Sequence, residues 1–321
     1  MRNVSLAARH WDHVTPIAAK EIRGFENFDL ELRDATPDVW SEQGLDGGET
    51  SLSRYVRARA EGDDSVTALP VFIMRGFRHR CIITTSSSPL ASASDLAGKR
   101  IGLTGWADSG NTWTRGILRS AGVGIADADW RVGALMSSHP TFDRIGRIDV
   151  PRNVQPTEKD ESMTDMLERG ALDAVMTPFM PPRFYENASP FRPLYRDLQA
   201  AEANYYGTSG YVPGIHVLAV RTGLLDKHPE IAQSLVELFE AAKRLSGTRR
   251  SKLLDVTPWH NEALAMTTRV IGSDWMPAGY AANARMIEDF QTELVEQELL
   301  GSRLPMGALF PHRTESELVA A

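Results

Sequence analysis

Ala68-Leu69-Pro70-Val71-Phe72-Ile73-Met74-Arg75-Gly76-Phe77-Arg78-His79-Arg80 begins as an apolar run and ends as a cationic loop. The first half has the composition of a buried strand. Arg75, Arg78, His79 and Arg80 follow it at once, which sets fixed positive charge at the lip of a core. A solvated loop between two strands is the competing reading, but four cationic groups in so short a span favour a small-anion site.

Working outward, Cys81-Ile82-Ile83-Thr84-Thr85 is a second strand-like run, and Arg100 to Leu103 a third. Leu90 to Gly98 reads as a short linking helix between them. After Leu103 a turn-rich loop with Gly105 and Gly110 leads into a helix over Thr112–Ala121, with Asn111 or Ser109 as cap and Gly122 as terminator. Strand, tight loop and helix N-terminus in that order form an anion-binding element, because the first-turn N–H groups lack helical partners.

On the N-terminal side, Asn3–Ala8 and Phe28–Arg33 read as strands, the latter from alternating apolar and charged residues. Between them a helix begins near Pro16, with Asp12 or Thr15 as cap. Gly44–Gly48 reads as a loop, and the small hydroxyls of Glu49-Thr50-Ser51-Leu52-Ser53-Arg54-Tyr55 begin a helix. On the C-terminal side, Pro140–Pro156 reads as loop, Met163–Arg169 as helix, and Leu172–Met176 and His216–Val220 as strands. Glu202–Gly214 is rich in aromatics and glycine, and beyond Pro229 the pattern is helical, with amphipathic segments at Ile231–Leu245 and Ala281–Leu300.

Strands alternating with helices imply an α/β fold with parallel sheets. A chain of 321 residues is long enough for two such sets. The expected lobes are 1–87 with 217–321, and 88–216, with a ligand cleft between them outside the carboxyl ends of strands. A net charge of −7 argues against general affinity for nucleic acid or an anionic membrane surface. The one cysteine, Cys81, precludes an internal disulfide and reads as a buried, inert thiol. With no apolar run of membrane-spanning length and no leader-like N-terminus, the expected location is cytoplasmic. Self-association into a homo-oligomer is compatible with all of this.

The stretches Leu69-Pro70-Val71-Phe72, Arg75-Gly76-Phe77-Arg78-His79, Asp95-Leu96-Ala97-Gly98-Lys99-Arg100-Ile101-Gly102 and Trp113-Thr114-Arg115-Gly116 resemble the 4,5-dihydroxyphthalate decarboxylase family. The similarity extends to Gly170–Ala174, Glu202 with Tyr205–Thr208, Pro213–His216 and Trp275–Tyr280. Thr112 stands where the family usually has a small apolar residue, and 137–156 matches poorly. The resemblance implies a type 2 periplasmic-binding-protein-like fold that carries an enzyme rather than a transport receptor.

Non-oxidative decarboxylation of a hydroxylated aromatic acid needs a cationic clamp, a proton donor at the ring carbon and polar partners for the ring. For the clamp the candidates are Arg78 and Arg115, then Arg183, since guanidinium pairs bidentately with carboxylate; a surface salt bridge is the alternative for each. Ser51, Ser53 and Thr112 are candidate hydrogen-bond donors or helix caps. His216 is the first candidate acid and His79 the second, against a structural role for either. Asp12 and His13 form a candidate carboxylate–imidazole pair, and Trp113 and Tyr206 are candidates to edge the ring. No cofactor is expected. His10 and His13 are spaced H-x-x-H without a second ligand motif, so no metal is expected either. A non-catalytic solute-binding protein for an organic anion is the alternative function.

Overall fold

The computed structural model describes residues 2–139, 145, 148–158, 161–252 and 257–312. In chain order the elements are β1 (Val4–Arg9), α1 (Thr15–Ala18), β2 (Phe28–Arg33), β3 (Gly47–Ser51), α2 (Leu52–Ala60), β4 (Val66–Arg75), β5 (Ile82–Thr85) and β6 (Arg100–Leu103). They continue with α3 (Ser109–Ser120), β7 (Asp129–Val132), β8 (Val154–Pro156), α4 (Met163–Glu168), β9 (Ala174–Met176), β10 (Phe191–Pro193), α5 (Leu198–Ser209) and β11 (Gly214–Arg221). The chain ends with α6 (Thr222–Lys227), α7 (Glu230–Arg250), α8 (His260–Val270), α9 (Ala284–Glu296) and α10 (Met306–Leu309).

These elements form two compact units. One comprises Met1–Arg75, Gly214–Glu288 and Leu304–Ala321; the other comprises Gly76–Pro213 and Asp289–Arg303. The divisions thus fall at 75/76 and 213/214, not at the expected 87/88 and 216/217, and 289–303 joins the second unit.

The first unit holds a five-stranded sheet of order β2-β1-β3-β11-β4. β1 pairs in parallel with β2 and β3, whereas β11 runs antiparallel to both β3 and β4. The expectation of purely parallel sheets is therefore corrected. β11 carries the chain back after the 138-residue excursion of Gly76–Pro213 and enters from the opposite end. β4 is the edge strand, which is why it tolerates Pro70, a residue with no N–H to give a central ladder. α7 presents Ile231, Leu235, Leu238, Phe239 and Ala242 at helical spacing to one face of the sheet, where they meet Leu6, Leu30, Leu69 and Leu218. Truncating a residue such as Leu235 to Ala in that layer costs roughly 2–5 kcal/mol.

The second unit holds a six-stranded sheet of order β10-β5-β9-β6-β7-β8. β9, β6, β7 and β8 are parallel, and β5 runs antiparallel to β9 and β10. Met163, Met166 and Leu167 of α4 pack with Ile83, Leu172 and Val175 on this sheet. Cys81 is fully buried just ahead of β5.

Several local expectations change. α1 is preceded by Val14 and has no side-chain cap, so neither Asp12 nor Thr15 fills that role. The cap residue of α3 is Asp108; Ser109 and Asn111 lie inside its first turn. Leu90–Gly98 contains only a short 3-10 turn, Ala93–Leu96. The Gly44–Gly48 loop ends early, because Gly47 and Gly48 already belong to β3, and the expected helix start at Glu49–Ser51 is strand as well, with α2 beginning at Leu52. The Pro140–Pro156 loop lies outside the described residues at 140–144, 146 and 147, and its end, Val154–Pro156, is strand. Glu202–Gly214 is largely the helix α5.

Candidate functional site

In the first unit the chemistry gathers at β3 and β11. His216 pairs with Ser51 and Leu218 with Glu49, so Glu49 and His216 are diagonal neighbours on one face of an antiparallel pair. The register between β11 and β4 also slips on both sides of His216. Such irregularities re-aim a side chain.

Glu49 is completely buried and His216 partly buried, and Nδ1 of His216 lies 2.5 Å from Oε1 of Glu49. The carboxylate also accepts from Arg9 Nε at 3.1 Å, Arg9 Nη2 at 3.0 Å, the Arg9 main-chain N–H at 2.8 Å and Trp11 Nε1 at 2.9 Å. Burial pushes the Glu49 carboxyl up, but the His216 hydrogen bond and the charges of His216 and Arg9 outweigh it and hold it at about 2. Glu49 is therefore ionised, and its 2.5 Å contact with His216 requires the shared proton on Nδ1.

Asp12 and His13 lie in the same unit. Asp12 is bound bidentately by Arg250, at 2.6 and 2.7 Å, and His13 Nδ1 stands 3.6 Å from it. His13 and then Arg250 hold the Asp12 carboxyl well below the usual carboxylate range. Asp12 is thus ionised and ion-paired, standing beside His13 as the expected carboxylate–imidazole pair would. Ser51 accepts from the Arg54 N–H at 3.4 Å at the start of α2, and Ser53 is buried.

In the second unit Arg78 stands out. It is 1% exposed; its Nε has no hydrogen-bond partner and its guanidinium no ion pair among the described residues. Burial lowers its pKa. The guanidinium lies over the first turn of α3. A Cβ at Gly110 would come within 2.7 Å of Nη2 and 3.0 Å of Cζ, so with any other residue there the guanidinium must shift. The Asp108 charge acts on the guanidinium without forming an ion pair, and a buried cation with no ion pair is costly and is retained where an anion completes it. The N-terminal end of α3 supplies the matching dipole.

The other candidates of this unit are engaged. Arg115 is buried against the Trp106 ring, donates from Nε to Gln297 at 2.8 Å and from Nη2 to the Trp106 carbonyl at 2.7 Å. With Arg119 and Trp130 it lines a cavity of about 220 Å³. Arg183 is exposed and paired with Glu168 at 2.5 Å. Thr112 donates to the Asp108 carbonyl at 3.0 Å. Trp113 packs in the core, 5.1 Å from the Phe290 ring and 5.8 Å from Tyr211. His79 is buried between Tyr195 and Tyr205, and burial pulls its pKa down to about 4. Such a histidine carries no proton to give at neutral pH. That weakens its claim as the acid. Tyr206 is half-buried on α5.

Sequence reasoning missed Glu49, Arg9 and Gly110. The signal for Glu49 was the pair of glycines before it. A Cβ at Gly48 would sit 2.3 Å from the Ala7 carbonyl oxygen and one at Gly47 2.6 Å from that of Ala219, so β3 is a strand squeezed between two others. Among the described residues no group of three or more His, Cys, Asp or Glu is arranged to hold a metal ion, and no helix is long and apolar enough to cross a membrane.

Two α/β sheets with returning antiparallel strands define the class: a type 2 periplasmic-binding-protein-like fold. The aliphatic sulphonate binding protein SsuA of Escherichia coli matches with a TM-score of 0.55 at 15% identity, over 97% of this chain and 92% of its own. A mutant of DSZB in complex with biphenyl-2-sulfinic acid matches with a TM-score of 0.54 at 17% identity, over 100% and 99%. No protein-family model matches. The 4,5-dihydroxyphthalate decarboxylase of Comamonas testosteroni is 32% identical over 270 residues, 82% of this chain and 81% of its own. That of Pseudomonas putida is 28% identical over 215 residues, 65% and 83%. The chain belongs to the 4,5-dihydroxyphthalate decarboxylase family and is a carboxy-lyase.

Proposed function

We propose that the chain decarboxylates a hydroxylated aromatic carboxylic acid of the 4,5-dihydroxyphthalate kind, non-oxidatively and without metal or organic cofactor. The observation that carries this reading is Arg78, a buried guanidinium with no ion pair among the described residues, set over the first turn of α3. A carboxylate retained by the substrate is the complementary group.

His216 is the proposed acid. Its Nε2 proton adds to the ring carbon that bears the departing carboxylate, a carbon made basic by the ring hydroxyls. The bond to the carboxylate then breaks, carbon dioxide leaves, and the bonding electrons restore the aromatic ring. One proton is consumed per turnover and His216 regains it from solvent. Glu49 keeps the ring oriented through its contact with Nδ1, whose proton stays in place as the Nε2 proton is given up and regained. General acid catalysis of this type contributes typically ~10²–10⁴-fold.

The test is incubation of the chelator-treated, dialysed protein with 4,5-dihydroxyphthalate, following ring absorbance and carbon dioxide release. Stoichiometric formation of a dihydroxybenzoate and carbon dioxide is expected. Tight binding across a panel of aromatic acids with no turnover would overturn the proposal.

A further inference from the structure

The loop that carries Arg78 is braced from one side by α5 and by Tyr195 just ahead of it. Phe77, directly before Arg78, meets the Tyr205 ring edge-on at 6.2 Å and 81°. His79, directly after it, meets Tyr205 at 5.3 Å and 71° and Tyr195 at 5.2 Å and 64°. One turn earlier on α5, Glu202 faces the main-chain N–H of Arg80, and its Oε1 is buried with no partner. Tyr205 is itself held at 6.2 Å by Tyr211, whose hydroxyl donates to Asp289 at 2.8 Å. Residues 77, 79 and 80 thus each meet α5, while Arg78 between them is held through its main-chain carbonyl, which accepts from the Cys81 N–H at 3.0 Å, and its Nε has no partner among the described residues.

We propose that Glu202 and Tyr205 are positioning residues that set the guanidinium of Arg78 for the substrate carboxylate. This rests on the reading of Arg78 as the anion ligand. The packing of α5 supports it, because among its residues only Ser209 is buried. Its hold on the rest of the unit therefore runs through this contact rather than through an apolar stripe. Glu202 acts through the acceptor oxygen that faces the Arg80 N–H, and Tyr205 through two edge contacts on either side of Arg78. A loop released by loss of either brace spreads the guanidinium over several orientations, which costs affinity before it costs chemistry.

The experiment measures KM and kcat for 4,5-dihydroxyphthalate, and the Kd of non-reacting phthalate by titration calorimetry, on the intact chain and four variants. Glu202→Ala and Tyr205→Leu are expected to raise KM and Kd about tenfold with kcat changed less than about twofold. Glu202→Gln, which keeps an acceptor oxygen, is expected to stay near wild type. Arg78→Ala reports on the underlying reading. If Arg78→Ala leaves the phthalate Kd unchanged, the anion assignment falls. If Arg78→Ala weakens binding but Glu202→Ala does not, or if Glu202→Gln fails to rescue, the bracing role alone is overturned. Tyr205→Leu serves as the second brace variant should Glu202→Ala not fold.

Discussion

Glu49 and His216 approach to 2.5 Å although 167 residues separate them in the chain. The contact depends on a diagonal across β3 and β11 and on the register slips that flank His216. Its consequence is chemical. An ionised, buried carboxylate fixes which ring nitrogen holds the shared proton.

Replacing His216 by Ala should lower kcat by about 10²–10⁴-fold while the Kd for phthalate changes little. Glu49→Gln should lower kcat as well, since the imidazole loses its charged partner. It should also destabilise the fold by roughly 3–5 kcal/mol, because Arg9 loses the carboxylate it is paired with at 3.0 Å. Steady-state kinetics with urea unfolding of both variants check this. A wild-type rate in His216→Ala would remove the acid assignment.

Arg78→Ala should act on binding first, raising KM and Kd before kcat. Arg78→Lys should recover little, because an ammonium cannot reproduce a bidentate fork. Calorimetric titration with phthalate and with benzoate separates the loss of one carboxylate contact from general loss of affinity.

Gly110→Ala offers a sharper probe. The added methyl would meet Nη2 of Arg78 at 2.7 Å, so the guanidinium must move. Gly110 lies in the first turn of α3, where the preference of a helix for Ala over Gly is at most about 1 kcal/mol. Thermal stability should therefore hold or change slightly while phthalate affinity falls. A melting temperature and a Kd measured on the same preparation decide it.

His79 and Glu49, with Asp12 in the same sense, make stability fall with acid. His79 has its pKa pulled down by burial to about 4, from an ordinary 6.5. The unfolded chain takes up that proton first, so the His79 contribution is complete above pH 6.5 and is lost as pH falls toward 4. Glu49, held at about 2 against an ordinary 4.5, contributes fully above pH 4.5 and loses that contribution as pH falls toward 2. Glu202 acts in the opposite sense. Burial pushes it up to about 7, so its penalty grows as pH rises from 4.5 to 7. The His79 part is isolated by comparing wild type with His79→Phe in urea at pH 7, 5 and 4. The difference should change between pH 6.5 and 4 and be flat above.

Most strands were legible because each is a short apolar run with clear stops: Val66–Arg75, Ile82–Thr85, Arg100–Leu103 and Gly214–Arg221. The direction of β5 and β11 was not, since a strand pattern carries no sign for parallel against antiparallel pairing. α5 escaped notice because it has no apolar stripe to produce a helical period. Of the site, Arg78 and His216 could be singled out by residue type beside a strand. Glu49 could not, because its partners come from β1 and β11 and only the folded sheet assembles them. Arg115 looked equivalent to Arg78 in sequence, yet Trp106 and Gln297 already occupy much of its bonding capacity.

Cys81, the chain's one cysteine, is sealed behind β5 with no exposed surface. Thiol-reactive dyes will leave the native protein unlabelled. A single engineered cysteine at Tyr185, which is 85% exposed, would then accept a fluorophore without background. Loss of that selectivity, with Cys81 becoming reactive, would mark local opening of the Arg78 segment, a direct optical readout of the loop on which anion capture turns.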